Sequence, residues 1–256
     1  MLSSHDPRLP VAVVTGASSG IGAATAARLT ADGYRVIAVA RRAERLADLA
    51  RRTGCETHVL DVRDSDEVLR LMGRIGRVDV LVNNAGLGRM GTTLAGSTLD
   101  DITRSVDTNV TAVMVATMAV LPGMTERGLG HVINVGSMAG LYPLASATYG
   151  STKAAIHRLS TNLRLELQGS GVRVTEICPG RVTTEFYDVG IDDPARRDAA
   201  KLSGVAEVSP AEVADSIAYA LGVPAHVNIN RIELQPTAQT YGGSQFDATI
   251  DEEDEA

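Results

Sequence analysis

The sequence predicts an α/β protein: a doubly wound parallel sheet of seven strands with helices on both faces. Three observations lead there. Seven short apolar runs recur along the 256 residues, most of them continuous and β-branched, as strands covered on both faces are. Segments with helical spacing separate them, and strands alternating with helices join as parallel neighbours through right-handed crossovers. No Pro/Ser/Gly-rich linker or internal repeat interrupts the alternation, so residues 1–246 are expected to form a single domain.

The first run, PVAVVTG (10–16), ends in a glycine turn that opens the helical segment GIGAATAARLTADG. RVIAVA (35–40) and the helical RRAERLADLARRTG follow, with Gly33 and Gly54 standing where a helix end favours a left-handed residue. ETHVLDV (56–62) gives the third strand, SDEVLRLMGRIG a helix, and VDVLVNN (78–84) the fourth strand. Residues 107–127 are apolar almost all the way round, and such a helix needs cover on both sides. The chain offers no further helical layer for it, so a homo-oligomer, dimer or tetramer, is expected. HVINVGS (131–137), a helix from about 147 to 169, VRVTEICPG (172–180) and RIELQP (231–236) complete the sheet. Before the last strand, Ser209, Pro210 and Glu212 fit an N-cap, a first-turn proline and a first-turn acid.

Composition narrows the function. The net charge is −7, and six carboxylates crowd the last ten residues, so 247–256 is expected to be a solvated, disordered tail. A chain this acidic lacks the footprint of a nucleic-acid binder. Cys55 and Cys178 are isolated, which suggests neither a disulfide framework nor a metal site. No uninterrupted apolar stretch approaches the roughly 18 residues of a membrane span, and a cytoplasmic protein without a membrane partner is expected.

The turn TGASSGIG (15–22) sits between the first strand and the first helix. Gly16, Gly20 and Gly22, with Ser18, Ser19 and Ile21 around them, would let the backbone approach a pyrophosphate at the open helix start. An acid at the end of the second strand would bind a free ribose 2′-hydroxyl, whereas arginine would meet a 2′-phosphate. Here Ala40 is followed by Arg41 and Arg42, which points to NADP(H) rather than NAD. Asp61 and Val62 end the third run where an adenine edge could bind, and NNAG, with Asn83, Ala85 and Gly86, ends the fourth. Ligands gather outside the carboxyl ends of parallel strands, so these segments converge on one cleft.

With Asn109, Ser137, Tyr149, Lys153 and the PG of Pro179 and Gly180 in the same order, the chain resembles the short-chain dehydrogenase/reductase family over nearly its whole length. The resemblance implies a Rossmann fold, an NADP-dependent enzyme acting on an alcohol or its carbonyl, and a catalytic set of Asn109, Ser137, Tyr149 and Lys153. Each role has a physical reason. Tyr149 can move the proton, but a phenol titrates near ~10 and a nearby cation is needed to favour its ionised form. Lys153, one helical turn on, lies on the same face and can supply that charge. It also holds the cofactor ribose in the family. Ser137 would bind the substrate oxygen, and Asn109 would work through a water leading to Lys153. Pro179, Gly180, Val182 and Thr184 match the family segment that orients the nicotinamide.

The resemblance also implies where substrate contacts lie: 87–90, 138–144 and 181–204, the last read as a mobile lid. Met138, Tyr142, Arg181 and Tyr187 are the candidates, with Arg181, and Arg89 second, as the cation for a carboxylate. AVLPGMTERGLGHVINVGS and VPAHVNINRIELQPTAQTYGG are similar to the bacterial branch of NADP-dependent 3-hydroxy acid dehydrogenases, which implies a small acid such as serine or L-allo-threonine. The fairly apolar SMAGLYPLASA wall keeps a less polar ketone or a β-ketoacyl substrate as the alternative. A noncatalytic NADP-binding regulator is the other class, but such a protein would usually have lost the Tyr or the Lys.

Overall fold

Val11–Thr15 (β1) is buried at every position, as its unbroken apolar run requires. The computed structural model describes residues 8–88, 93–143, 146–201 and 203–239. The acidic segment 247–256, Arg89 and Leu144 fall outside them. Around β1 lie Arg35–Ala40 (β2), Glu56–Val59 (β3), Val80–Asn83 (β4), Gly130–Val135 (β5), Val172–Pro179 (β6) and Arg231–Leu234 (β7). They form one seven-stranded sheet in the order β3-β2-β1-β4-β5-β6-β7, every pair parallel. The direction of strand addition reverses between β1 and β4, and the carboxyl ends there open the crevice in which doubly wound folds bind ligands.

Gly20–Ala31 (α1) and Ala43–Thr53 (α2) cover one face, where Ala26, Leu29, Leu46 and Leu49 meet Val14 and Ala38. Ser65–Ile75 (α3), Leu99–Val106 (α4), Ala112–Arg127 (α5) and Ala147–Glu166 (α6) follow. Val68, Leu71, Ala116, Val120 and Leu163 from this set bury Val13, Ile37 and Val132 on the opposite face. After β6 come the short Phe186–Gly190 (α7) and Pro194–Lys201 (α8), then Pro210–Gly222 (α9). The capping box on α9 is present: Glu212 N–H donates to Ser209 Oγ at 3.2 Å and Ser209 N–H to Glu212 Oε2 at 2.6 Å.

Three sequence expectations need correction. The third strand ends at Val59 rather than at 62, and Leu60, Asp61 and Val62 leave the sheet to line the cleft. The helix expected over 107–127 belongs to a helical run from Leu99 to Arg127, long and apolar enough by length and composition to cross a bilayer. Its inner face is instead packed on the sheet through Ala116, Val120 and Met124. Lastly, not every crossover is right-handed. The path β6–α9–β7 advances in the same direction as β4–α5–β5, yet Val213, Ile217 and Leu221 of α9 pack with α1 on the other face, so its hand is opposite. The long excursion through α7 and α8 frees this connection from the steric rule that governs short crossovers.

Candidate active site

The glycine turn is shaped by close packing. Gly16 has φ 68°, and a Cβ there would lie 2.8 Å from Ala85 Cα; only glycine suits both conditions. A Cβ on Gly22 would lie 2.4 Å from Gly16 O and from Asn84 Nδ2, so Gly22 supports the turn from beneath. Ser19 is the N-cap of α1 in an extended conformation, and its side chain makes no cap hydrogen bond. The helix start is therefore left open to an anion.

At this end of the cleft Arg42 donates from Nε to Ser18 Oγ (3.0 Å) and from Nη2 to Ser19 Oγ (2.6 Å). Its remaining nitrogen, Nη1, reaches Glu185 at 2.8 Å, and Arg45 reaches the same carboxylate. The guanidinium is thus held at the mouth of the glycine turn. Arg41 is exposed, with Nη1 3.6 Å from Asp61. Asp61 lines the cleft but is already engaged: hydrogen bonds from Arg63, 2.6 Å at the shortest, draw its carboxyl down to about 2. Four arginines, Arg41, Arg42, Arg45 and Arg63, face two carboxylates here, so the local balance is positive, and an anion at Arg42 would take the place of Glu185 on Nη1.

At the other end, Ser137 follows β5 and caps a 3-10 turn, accepting from Ala139 N–H at 3.1 Å. Tyr149 and Lys153 lie one turn apart on the inner face of α6, 9% and 6% exposed. Lys153 Nζ donates to Val135 O at 2.8 Å and stands 5.9 Å from the centre of the Tyr149 ring. Burial pushes the phenol up to about 12, opposed by a hydrogen bond with Ser137, and burial pulls the Lys153 ammonium down to about 8. The expected lowering of the phenol by the lysine does not dominate in the protein alone, because desolvation disfavours the charged form of each group. A protonated phenol facing a hydroxyl and a buried cation can donate a proton to an oxygen placed between them.

One cleft of about 470 Å³ joins these two ends. Among the described residues, every predicted site residue lines it except Gly22, Asn83 and Asn109. Asn83 points into the helix layer, donating to Thr117 Oγ1 (3.1 Å) and Asn134 Oδ1 (2.9 Å), and its neighbour Asn84 faces the cleft instead. Asn109 sits in a π-turn, Asp107–Thr111. Its Oδ1 accepts from Leu87 N–H at 2.7 Å, while Nδ2 donates to Leu87 O (2.7 Å) and Thr152 Oγ1 (2.9 Å). These bonds tie the loop after β4 to α6 and fix the Asn109 side chain beside the site.

The candidate substrate residues are also more engaged than expected. Arg181 lies with its guanidinium 4.9 Å from the Tyr187 ring centre and forms an ion pair with Glu207. It is not an open cation for a carboxylate. Tyr142 donates to Glu233 Oε2 at 3.0 Å. Met138 is buried in the wall. Asn84, Glu185 and Phe186 also line the cleft, placed by the sequence only through their segments and not singled out, and Gln239 lines it unforeseen. Phe186 covers Tyr149, ring centres 5.2 Å apart, and its position directly after Thr184 and Glu185 was the available signal.

The chain is similar to known proteins over most of its length. Residues 10–192 match the family model described as short chain dehydrogenase. The NADP-dependent 3-hydroxy acid dehydrogenase YdfG of Escherichia coli (strain K12) is 37% identical over 241 residues, covering 91% of this chain and 97% of the relative. Sulfoacetaldehyde reductase 2 of Chromohalobacter salexigens is 38% identical over 247 residues, covering 93% and 98%. Among solved structures, the closed form of a serine dehydrogenase complexed with NADP+ matches with a TM-score of 0.85 and 38% identity, over 91% of this chain and 97% of that one.

Proposed function

Because the chain belongs to the short-chain dehydrogenase family, as its match over residues 10–192 and its 37% identity to a full-length relative establish, we propose that it interconverts a small 3-hydroxy acid, of the serine or L-allo-threonine kind, and its carbonyl with NADP(H). The observation that carries this reading is a single cleft with a cation at one end and a buried Tyr–Ser–Lys group at the other. Arg42, braced by Ser18 and Ser19, suits the 2′-phosphate, and the open start of α1 suits the diphosphate. Gly180, Val182 and Thr184 line the nicotinamide end. When bound, the nicotinamide supplies or accepts the hydride.

The chain's own residues do the rest. In reduction Tyr149 gives its phenolic proton to the developing alkoxide. Ser137 donates to the same oxygen, and the positive charge of Lys153 stabilises the phenolate left behind. Asn109 positions the site through Leu87 and Thr152. Arg181 would have to exchange Glu207 for a substrate carboxylate, so recognition of the acid through it requires that ion pair to open. Exposed apolar residues on α5, with Met118 57% exposed, support a homo-oligomer, and a cytoplasmic location fits this small-molecule chemistry.

A panel of serine, L-allo-threonine and 3-hydroxybutyrate against neutral alcohols, with NADP+ and NAD+, tests the reading through absorbance of the reduced nicotinamide. We expect the acids with NADP+ to give the highest kcat/KM, at least about tenfold above NAD+. Faster turnover of neutral substrates would favour the ketoreductase alternative. Equal rates with both cofactors would remove Arg42 from the argument.

A further inference from the structure

Two adjacent residues after β6 touch opposite walls of the cleft. Glu185 is held by Arg42 and Arg45, and Phe186 presses against Gly88 and Tyr149. The Phe186 and Tyr149 ring centres are 5.2 Å apart with planes at 57°. A Cβ on Gly88 would fall 1.9 Å from Phe186 Cζ and within 2.8 Å of both Cε atoms, so any side chain at 88 would push the ring off this seat. On its other side the ring meets Tyr187 edge-on at 5.6 Å. Tyr187 carries the Arg181 guanidinium, which is paired with Glu207. Glu207 in turn accepts from Ser203 Oγ (2.9 Å) and Thr183 Oγ1 (3.2 Å). The ring is thus braced from both ends, by an ion pair at Glu185 and by an aromatic stack that ends in another.

We propose that Phe186, seated against Gly88, sets the size of the substrate admitted over Tyr149 and restricts it to short-chain hydroxy or oxo compounds. The inference rests on the oxidoreductase reading above and deepens it. A small acid can reach Ser137 and Tyr149 with the ring in place. A longer chain leaving the reacting carbon would meet the ring, which makes room only by leaving Gly88 and giving up its contacts with both tyrosines. Discrimination by occupied volume in an apolar pocket is worth about tenfold or more per step in size. The seated ring also keeps water from the phenol, consistent with the raised pKa of Tyr149.

The test measures NADPH-dependent reduction of acetoacetate and of 3-oxooctanoate by the wild type, Phe186→Ala, Phe186→Leu and Gly88→Ala, with NADPH affinity from fluorescence titration as the check on folding. The wild type should prefer acetoacetate. Phe186→Ala should move the kcat/KM ratio toward the longer acid by about tenfold or more, with NADPH affinity within about twofold, and Phe186→Leu should move it less. Gly88→Ala keeps the ring but fills its seat, and should shift the ratio the same way. A ratio unchanged in Phe186→Ala and Gly88→Ala, or a parallel loss on both substrates in all three variants, overturns the proposal. If the wild type binds NADPH but reduces neither acid, the hydroxy-acid reading fails. The ratio is then taken on methyl ketones of the two chain lengths, where an unchanged value overturns the size gate.

Discussion

Tyr149 and Lys153 exchange their expected order of importance once burial is counted. With the phenol pushed up to about 12 and the ammonium pulled down to about 8, the first proton lost as pH rises is the lysine's. Below that point the site holds a neutral phenol and a cation, the pair that carbonyl reduction uses. Above it the charge that stabilises a phenolate is gone. The kcat/KM for reduction should therefore be level toward neutral pH and fall above about pH 8, and a pH–rate profile on a slow substrate reads this directly. Tyr149→Phe should lower turnover by about 10²–10⁴-fold while leaving NADPH binding nearly intact, because the ring and its packing remain. Wild-type rates in that variant would end the proton-donor role. The same scale shows why NNAG could be recognised but not resolved. Successive strand residues face opposite sides, so Asn83, still in β4, turns to Thr117, while Asn84, one residue past it, donates to Thr15 O at 2.9 Å. The motif marks the place, and strand parity decides which asparagine meets the cleft.

Among the elements, those with period and caps in one stretch were legible, and those built from tertiary contacts were not. α9 could be placed from Ser209 and Glu212, and β1 from the four apolar letters VAVV. α4 was missed because its cap, Thr98 with Asp101, introduces the polar stretch LDDITRSV rather than an apolar stripe. α7 and α8 were read as lid, and the contact of Phe186 with Tyr149, 37 residues away, is one that local sequence does not display. For α5 the sequence reading expected cover on both sides. Its inner face is packed, while Met114 and Met118 remain 44% and 57% exposed. On α6 the outward positions include Ser151 and Ala154, small enough for close approach, and Leu165, 74% exposed. Two such helices brought against their copies would bury a mostly apolar surface. Met118→Glu places a charge in the middle of that contact. Sedimentation velocity should show an oligomer for the wild type and a smaller species for the variant at the same concentration. A monomeric wild type would refute the oligomer.

At the scale of the whole molecule, the sheet contains a titratable group that cannot be used at acid pH. His131 on β5 is 2% exposed. Its Nε2 lies 2.8 Å from Thr175 Oγ1 on the adjacent strand, and its Nδ1 has no hydrogen-bond partner. Burial draws its pKa from 6.5 down to about 3. The unfolded chain therefore takes up a proton as pH falls through the mid-sixes, while the folded sheet refuses it until about pH 3. Between those limits the unfolded state binds more protons, so stability falls as pH falls. Full stabilisation is present above pH 6.5 and is progressively lost below it, at about 1.4 kcal/mol per pH unit for a single group. From pH 7.5 to pH 4.5 the loss through His131 alone comes to about 2–3 kcal/mol. That window lies above the range in which Asp61, held down to about 2, begins to protonate. His131→Gln keeps a polar partner for Thr175 and removes the titration. Urea denaturation at the two pH values and equal protein concentration should show a pH-dependent loss smaller by about 2–3 kcal/mol in the variant than in the wild type. The carboxylates contribute alike to both proteins, so the difference isolates the histidine, and equal losses would mean that His131 accepts its proton without unfolding the sheet.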